Sequence, residues 1–256
     1  MAGHSKWANI KRQKARVDAV KGKVFAKLSR EIIVAAKQGG GDPDGNFQLR
    51  TAIDKAKAAG FPNDNIDRAI AKGCGTLEGE GDYESIRYEG YGPGGVAVLI
   101  EALTDNRNRA AADLRAAFNK NGGNLGETGC VGWMFDQKGV VTLTGEIEEE
   151  ALLETALEAG AESYEILTDV EEGVPGAEVF CEVADLEPVS SILKEAGYSV
   201  SEVDRRWIPS NTVKVEDLEQ AASLIKMIDA LEESDDVQSV TANFDLSEDV
   251  MVEVMG

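Results

Sequence analysis

The chain has 256 residues, 43% hydrophobic and 29% charged, the composition of an ordinary soluble protein with room for one large domain or two to three small ones. No apolar run approaches the ~18–20 residues that cross a bilayer, and the basic N-terminus lacks the apolar stretch of a signal peptide, so a cytoplasmic location with no membrane partner is expected. Net charge is −21, yet the first 37 residues hold ten Lys/Arg against Asp18 and Glu31, a balance of +8 that leaves −29 for the remainder; such a basic head on an acidic body attracts a polyanion at one end only.

Residues 1–75 read as a basic arm followed by a three-helix bundle. In 1–20 the apolar residues Trp7, Ile10, Val17 and Val20 are sparse, so this stretch is expected to order only partly without a partner. Phe25, Leu28, Ile32 and Ala36 then recur at helical spacing up to Gly39-Gly40-Gly41. Asn46 is placed to cap a second helix, with Leu49, Ile53 and Ala56 inward, and Asn63 a third, with Ile66, Ala69 and Ile70 inward.

The Gly-rich acidic stretch 74–82 reads as a linker. Beyond it, residues 83–136 give two strands joined by GYGPGG, a helix with Ala111, Leu114, Ala117 and Phe118 on one face, and a strand over 131–135. Residues 137–208 spell β-α-β-β-α-β, the order of a ferredoxin-like domain. The helix at 217–234 and strand at 237–246 cannot stand alone. Returned to the first sheet, they make 83–136 plus 209–256 one discontinuous α+β domain with the ferredoxin-like unit inserted. The expected fold class is therefore multidomain α+β.

Catalytic and metal motifs fail on inspection. Gly90, Gly92 and Gly95 match GxGxxG literally, but a strand follows them where the dinucleotide fingerprint needs a helix, so a hairpin turn is expected. DPDGN at 42–46 lacks the Gly and Glu of a calcium loop, with Phe47 and Ile53 in their places. The one histidine, His4, excludes His-based triads and HExxH sites, and the chain carries no phosphate-loop or nucleophile-elbow motif. Cys74, Cys130 and Cys181 form no CxxC pair and read as free thiols. No enzyme, metal site or cofactor is expected.

The basic head carries the functional signal. Lys6, Lys11, Arg12, Lys14, Arg16, Lys21, Lys23, Lys27 and Arg30 supply phosphate contacts, and Trp7 a stacking face. A second basic patch is expected at Arg107, Arg115 and Lys120, and Arg205-Arg206-Trp207 is a third candidate.

MAGHSKWANIK, GGGDP, DKAKAAGFPNDNIDRAIAKG, YEGYGPGGVAVLIEALTDNRNRAAADLR and GGNLGETGCVGWMF together resemble the YebC family, end to end and most densely over 1–140. Ala110 and Cys130 stand where that pattern has Thr and Ser, which puts a role for those two hydroxyls in doubt. The resemblance implies a helical bundle and an α+β domain interrupted by a ferredoxin-like one. It also implies a non-enzymatic regulator of gene expression, either a DNA-binding transcriptional regulator or a translation factor that binds ribosomal RNA at stall-prone sequences. The third helix starts Asn63, Asp64, Asn65, Ile66, Asp67, and two carboxylates there oppose major-groove docking. A basic arm with an aromatic suits irregular RNA. The favoured expectation is a monomer bound to ribosomal RNA, with DNA as the alternative partner; a scaffold whose acidic ferredoxin-like domain meets ribosomal proteins is a further alternative.

Overall fold

The computed structural model describes residues 21–77, 83–171 and 173–255. The expected arm, with Lys6, Trp7, Lys11, Arg12, Lys14 and Arg16, and residues 78–82 of the expected linker lie outside the described residues.

Three helices follow: α1 (Lys21–Gly39), α2 (Phe47–Ala58) and α3 (Asn63–Gly73). Leu28, Ile32, Leu49, Ile53, Ala56 and Ile66 form their common core, and Phe25 and Phe61 meet at 5.0 Å between ring centroids. Asn46 caps α2 as expected, its Oδ1 accepting from Leu49 N at 3.1 Å. Its Nδ2 also donates to Ala35 O (2.9 Å) and Gly40 O (2.8 Å), tying the cap to the end of α1. The Asn63 cap is corrected: α3 already contains Asn63, and Pro62, extended at φ −63° and ψ 138°, occupies the cap position. The Pro62 carbonyl accepts from Asn65 N and Ile66 N, so the turn needs no side-chain acceptor.

Strands β1 (Glu84–Tyr91) and β2 (Ala97–Thr104) pair antiparallel from Glu84↔Thr104 to Tyr91↔Ala97. GYGPGG is their hairpin turn, with Gly94 and Gly95 both at φ +75°, a backbone that favours glycine. Helix α4 (Arg107–Lys120) buries Ala110, Leu114 and Phe118. Strand β3 (Asn124–Leu125) pairs with β1 at Gly90, where a Cβ would lie 2.6 Å from Asn124 O and 2.8 Å from Phe118 Cζ. The strand expected over 131–135 is replaced by a 3₁₀ turn, Gly132–Met134, and β4 begins at Phe135 and runs to Thr144. The Glu89 carboxylate takes the N–H groups of Val131 and Gly132, which a strand partner would otherwise need.

After β4 come α5 (Glu149–Glu158), β5 (Ser163–Glu171), β6 (Val174–Cys181), α6 (Leu186–Glu195) and β7 (Ser199–Pro209). The sheet order is β5-β6-β4-β7, over a core that includes Val140, Leu143, Leu152, Val179, Val189 and Leu193. The chain then adds β8 (Val213–Lys214), α7 (Leu218–Glu232), β9 (Val237–Ala242), β10 (Phe244–Asp245) and α8 (Glu248–Met255). Strand β9 pairs antiparallel with β2, giving the order β3-β1-β2-β9. The parallel β8–β10 pair and α8 were not legible in the periodicity. The described residues divide into two compact units: Asp136–Ile208, and the residues up to Phe135 together with those from Pro209 onward.

Candidate nucleic-acid interface

Helix α1 places its cations on two jobs. Lys21 opens the helix, and Lys23, Lys27 and Arg30 follow at the i, i+4, i+7 spacing of one face. Lys27 Nζ donates to Glu232 O at 2.8 Å and Lys23 Nζ to Glu233 O at 3.4 Å, both at the C-terminal end of α7, where exposed carbonyls favour cations. Burial pulls the Lys27 pKa below its ordinary value, with Glu232 and Asp235 opposing that shift. Arg30 donates to Asp235 O and sits 3.7 Å from Asp236 Oδ1. Asp236, 4% exposed, is gripped from the other side by Arg109 Nη2 at 3.0 Å, and Arg109 also meets Asp105 at 2.8 Å. The hydrogen bonds that Arg109 donates to Asp236 and Asp105 raise its pKa. Three of the predicted phosphate cations thus bond first to the α7–β9 corner, and Arg109, which sequence reasoning passed over, completes that clasp.

A second surface of the same bundle has a different character. Between α1 and α3 lies an open cavity of about 490 Å³ lined by Phe25, Ser29, Arg30, Phe61, Asn65, Arg68, Lys72 and Tyr83, among others. Arg30 Cζ and Lys72 Nζ each stand 5.6 Å from the centroid of the Tyr83 ring. Among the described residues the lining includes three cations and no carboxylate, in a chain whose net charge is −21. Asp64 and Asp67, the acids that opposed duplex docking, are not part of it. Asn65, Arg68 and Lys72 share one α3 face at helical spacing; the signal was present in DNIDRAIAK, but Tyr83, ten residues beyond the helix, needed the fold to join them.

The other predicted basic sites are scattered. Arg107, Arg115 and Lys120 are all exposed on α4, with Arg107 Nη1 3.9 Å from Glu84. Arg206 is directed into its own unit, where it meets Glu178 at 2.5 Å, Glu202 at 3.0 Å and Thr142 Oγ1 at 3.2 Å. Burial opposes its charge, but Glu178, Glu202 and Asp204 outweigh that and raise its pKa. Among the described residues no three His, Cys, Asp or Glu side chains converge as metal ligands, and no helix is long and apolar enough to cross a membrane.

The family blocks acquire a physical role at β1. Arg87, Glu89 and Tyr91 alternate onto one face, and the loop from Gly126 to Met134 lies over it. Glu89, only 1% exposed, accepts from Val131 N (2.8 Å) and Gly132 N (2.6 Å) through Oε2, while Oε1 sits 3.3 Å from Arg87 Nε. Burial pushes its carboxyl upward, but the N–H groups of Val131, Gly129 and Gly132 and the Arg87 charge outweigh burial and hold it below the ordinary value.

Comparison with known proteins follows this architecture. Residues 5–76 match the family domain described as the TACO1/YebC protein N-terminal domain, and residues 83–244 match the TACO1/YebC second and third domain. A "probable transcriptional regulatory protein" of Microcystis aeruginosa is 68% identical over 252 residues, covering 98% of this chain and 99% of the relative. One from Thermosynechococcus vestitus, with the same description, is 66% identical over 255 residues, covering 100% and 99%. The crystal structure of a "conserved hypothetical protein" from Aquifex aeolicus superposes with a TM-score of 0.81 at 46% identity, covering 91% of this chain and 94% of that one. Since the two domain matches span both the bundle and the α+β segments that follow it, the chain belongs to the TACO1/YebC family.

Proposed function

We propose that this protein is a non-enzymatic regulator of gene expression that binds structured RNA, with ribosomal RNA as its target and assistance at stall-prone sequences as its role. The observation that carries this reading is the cavity between α1 and α3, whose described lining is cationic and aromatic and holds no carboxylate. A phosphate there meets Arg68 and Lys72, and a base meets the ring of Phe25 or Tyr83. The basic segment with Lys6, Trp7, Lys11, Arg12, Lys14 and Arg16 precedes this bundle and extends the same electrostatic footprint. Residues 137–208 act, in this reading, as an inserted ferredoxin-like domain whose acidity keeps phosphates at the basic end.

A second reading, sequence-specific DNA regulation, is favoured by the descriptions of the Microcystis and Thermosynechococcus relatives. Against it stand Asp64 and Asp67 at the start of α3.

Sucrose-gradient co-sedimentation with ribosomes separates the two. Wild-type protein is expected to travel with ribosomes at low salt and to be released by salt steps. The Lys11/Arg12/Lys14/Arg16→Ala variant and the Arg68→Ala/Lys72→Ala variant should each be released at lower salt. Wild type that never co-sediments but protects a defined promoter fragment would establish the DNA reading instead.

A further inference from the structure

We infer that Trp133 is a stacking platform for one unpaired nucleobase, a second point of contact on the α+β part of the chain. This inference rests on the nucleic-acid reading above and adds the form of ligand that reading leaves open. Trp133 is 70% exposed, the most exposed of the large hydrophobic residues described. Removing so large a ring from water is among the stronger driving forces available to a side chain, so a partner that covers it gains that burial.

The ring is held in place. Trp133 Nε1 donates to Cys130 O at 3.3 Å, and Tyr91 Oη donates to the same carbonyl at 3.1 Å, so two aromatic edges converge on one oxygen. The turn beneath them is fixed by the buried Glu89 carboxylate through Val131 N and Gly132 N, and by Met134 N donating to Val131 O at 2.8 Å. A side chain on Gly132 would lie 3.0 Å from Glu89 Oε1 and 3.3 Å from Arg87 Nη2, which places the Arg87 guanidinium against the backbone next to Trp133. The Arg87 side chain is 40% exposed. A ring presented at fixed orientation loses little entropy when a base stacks on it.

The surface selects a base rather than a phosphate run. Arg87 already balances Glu89, and the exposed Glu127 on the same loop repels phosphates. What remains on offer is the π face of Trp133, with Tyr91 and one guanidinium at its rim, and every base has a face to stack while only an unpaired base can reach it.

The test uses the full chain, a single-stranded 12-nucleotide oligoribonucleotide and the same strand in a duplex, with affinity read by fluorescence anisotropy. Trp133→Ala is expected to weaken single-strand binding about tenfold, with duplex binding nearly unchanged. Trp133→Phe should retain most of the affinity, and quenching of intrinsic tryptophan fluorescence by the single strand should be diminished in it. Single-strand affinity unchanged in Trp133→Ala, or lost equally in Trp133→Phe, overturns the inference. If Arg68→Ala/Lys72→Ala weakens binding and Trp133→Ala does not, the platform fails while the nucleic-acid reading stands. If wild type binds neither probe, both fail together.

Discussion

Glu89 shows how one carboxylate in a chain with 47 acids becomes specific, through burial together with the backbone N–H groups that it accepts. Its native pKa is depressed, so the stabilisation it provides is fully present above the ordinary carboxylate pKa of about 4.3 and is lost as pH falls through the native value. Glu89→Gln is expected to cost ~1–3 kcal/mol at neutral pH and to flatten the acid limb of a Tm-against-pH series. Cys181 offers a contrasting residue-scale check. Burial pushes its thiol up to about 11, whereas Cys74 is exposed. A thiol reagent at pH 8 should modify Cys74 within minutes and leave Cys181 untouched until the protein is unfolded. The cysteines read from spacing as unpaired thiols; which of them a reagent can reach was decided by the strand that buries Cys181.

At the scale of elements, caps and turns depended on local chemistry, and their legibility followed from it. Asn46 was readable because an amide before an apolar helix has one favoured use; its extra bonds to Ala35 and Gly40 were not readable. Asn46→Ala is expected to cost about 2 kcal/mol, roughly 1 for the cap and the rest for carbonyls left without a donor, measurable by urea unfolding. Asn63 misled because Pro62 satisfies the same turn through its carbonyl. Residues 131–135 misled for a longer-range reason, since β propensity there yields to a carboxylate 42 residues upstream. In the unit of residues 136–208, Arg206 holds Glu178 and Glu202 together. Arg206→Ala should destabilise that unit by ~3–5 kcal/mol, because Glu178 keeps a buried charge, while Arg206→Met with Glu178→Leu should restore much of the loss.

For the whole molecule, the charge split makes the decisive prediction a salt dependence. Binding of wild type to single-stranded RNA should fall with a steep log–log slope in salt. Arg68→Ala/Lys72→Ala should reduce that slope by about 1.4, near 0.7 for each phosphate contact removed. An unchanged slope would place the phosphates elsewhere. The amino-acid sequence by itself determined the helical bundle, the hairpin at GYGPGG, the βαββαβ order and the polarity of charge, because each depends on residues close together along the chain. Only the tertiary structure decided which cations line the cavity between α1 and α3 and which also grip the α7–β9 corner, because Lys27 meets Glu232, and Arg30 and Arg109 meet Asp236, across up to 206 positions. It likewise decided that Trp133 faces solvent, since the turn that carries it is fixed by a carboxylate 43 residues before Gly132.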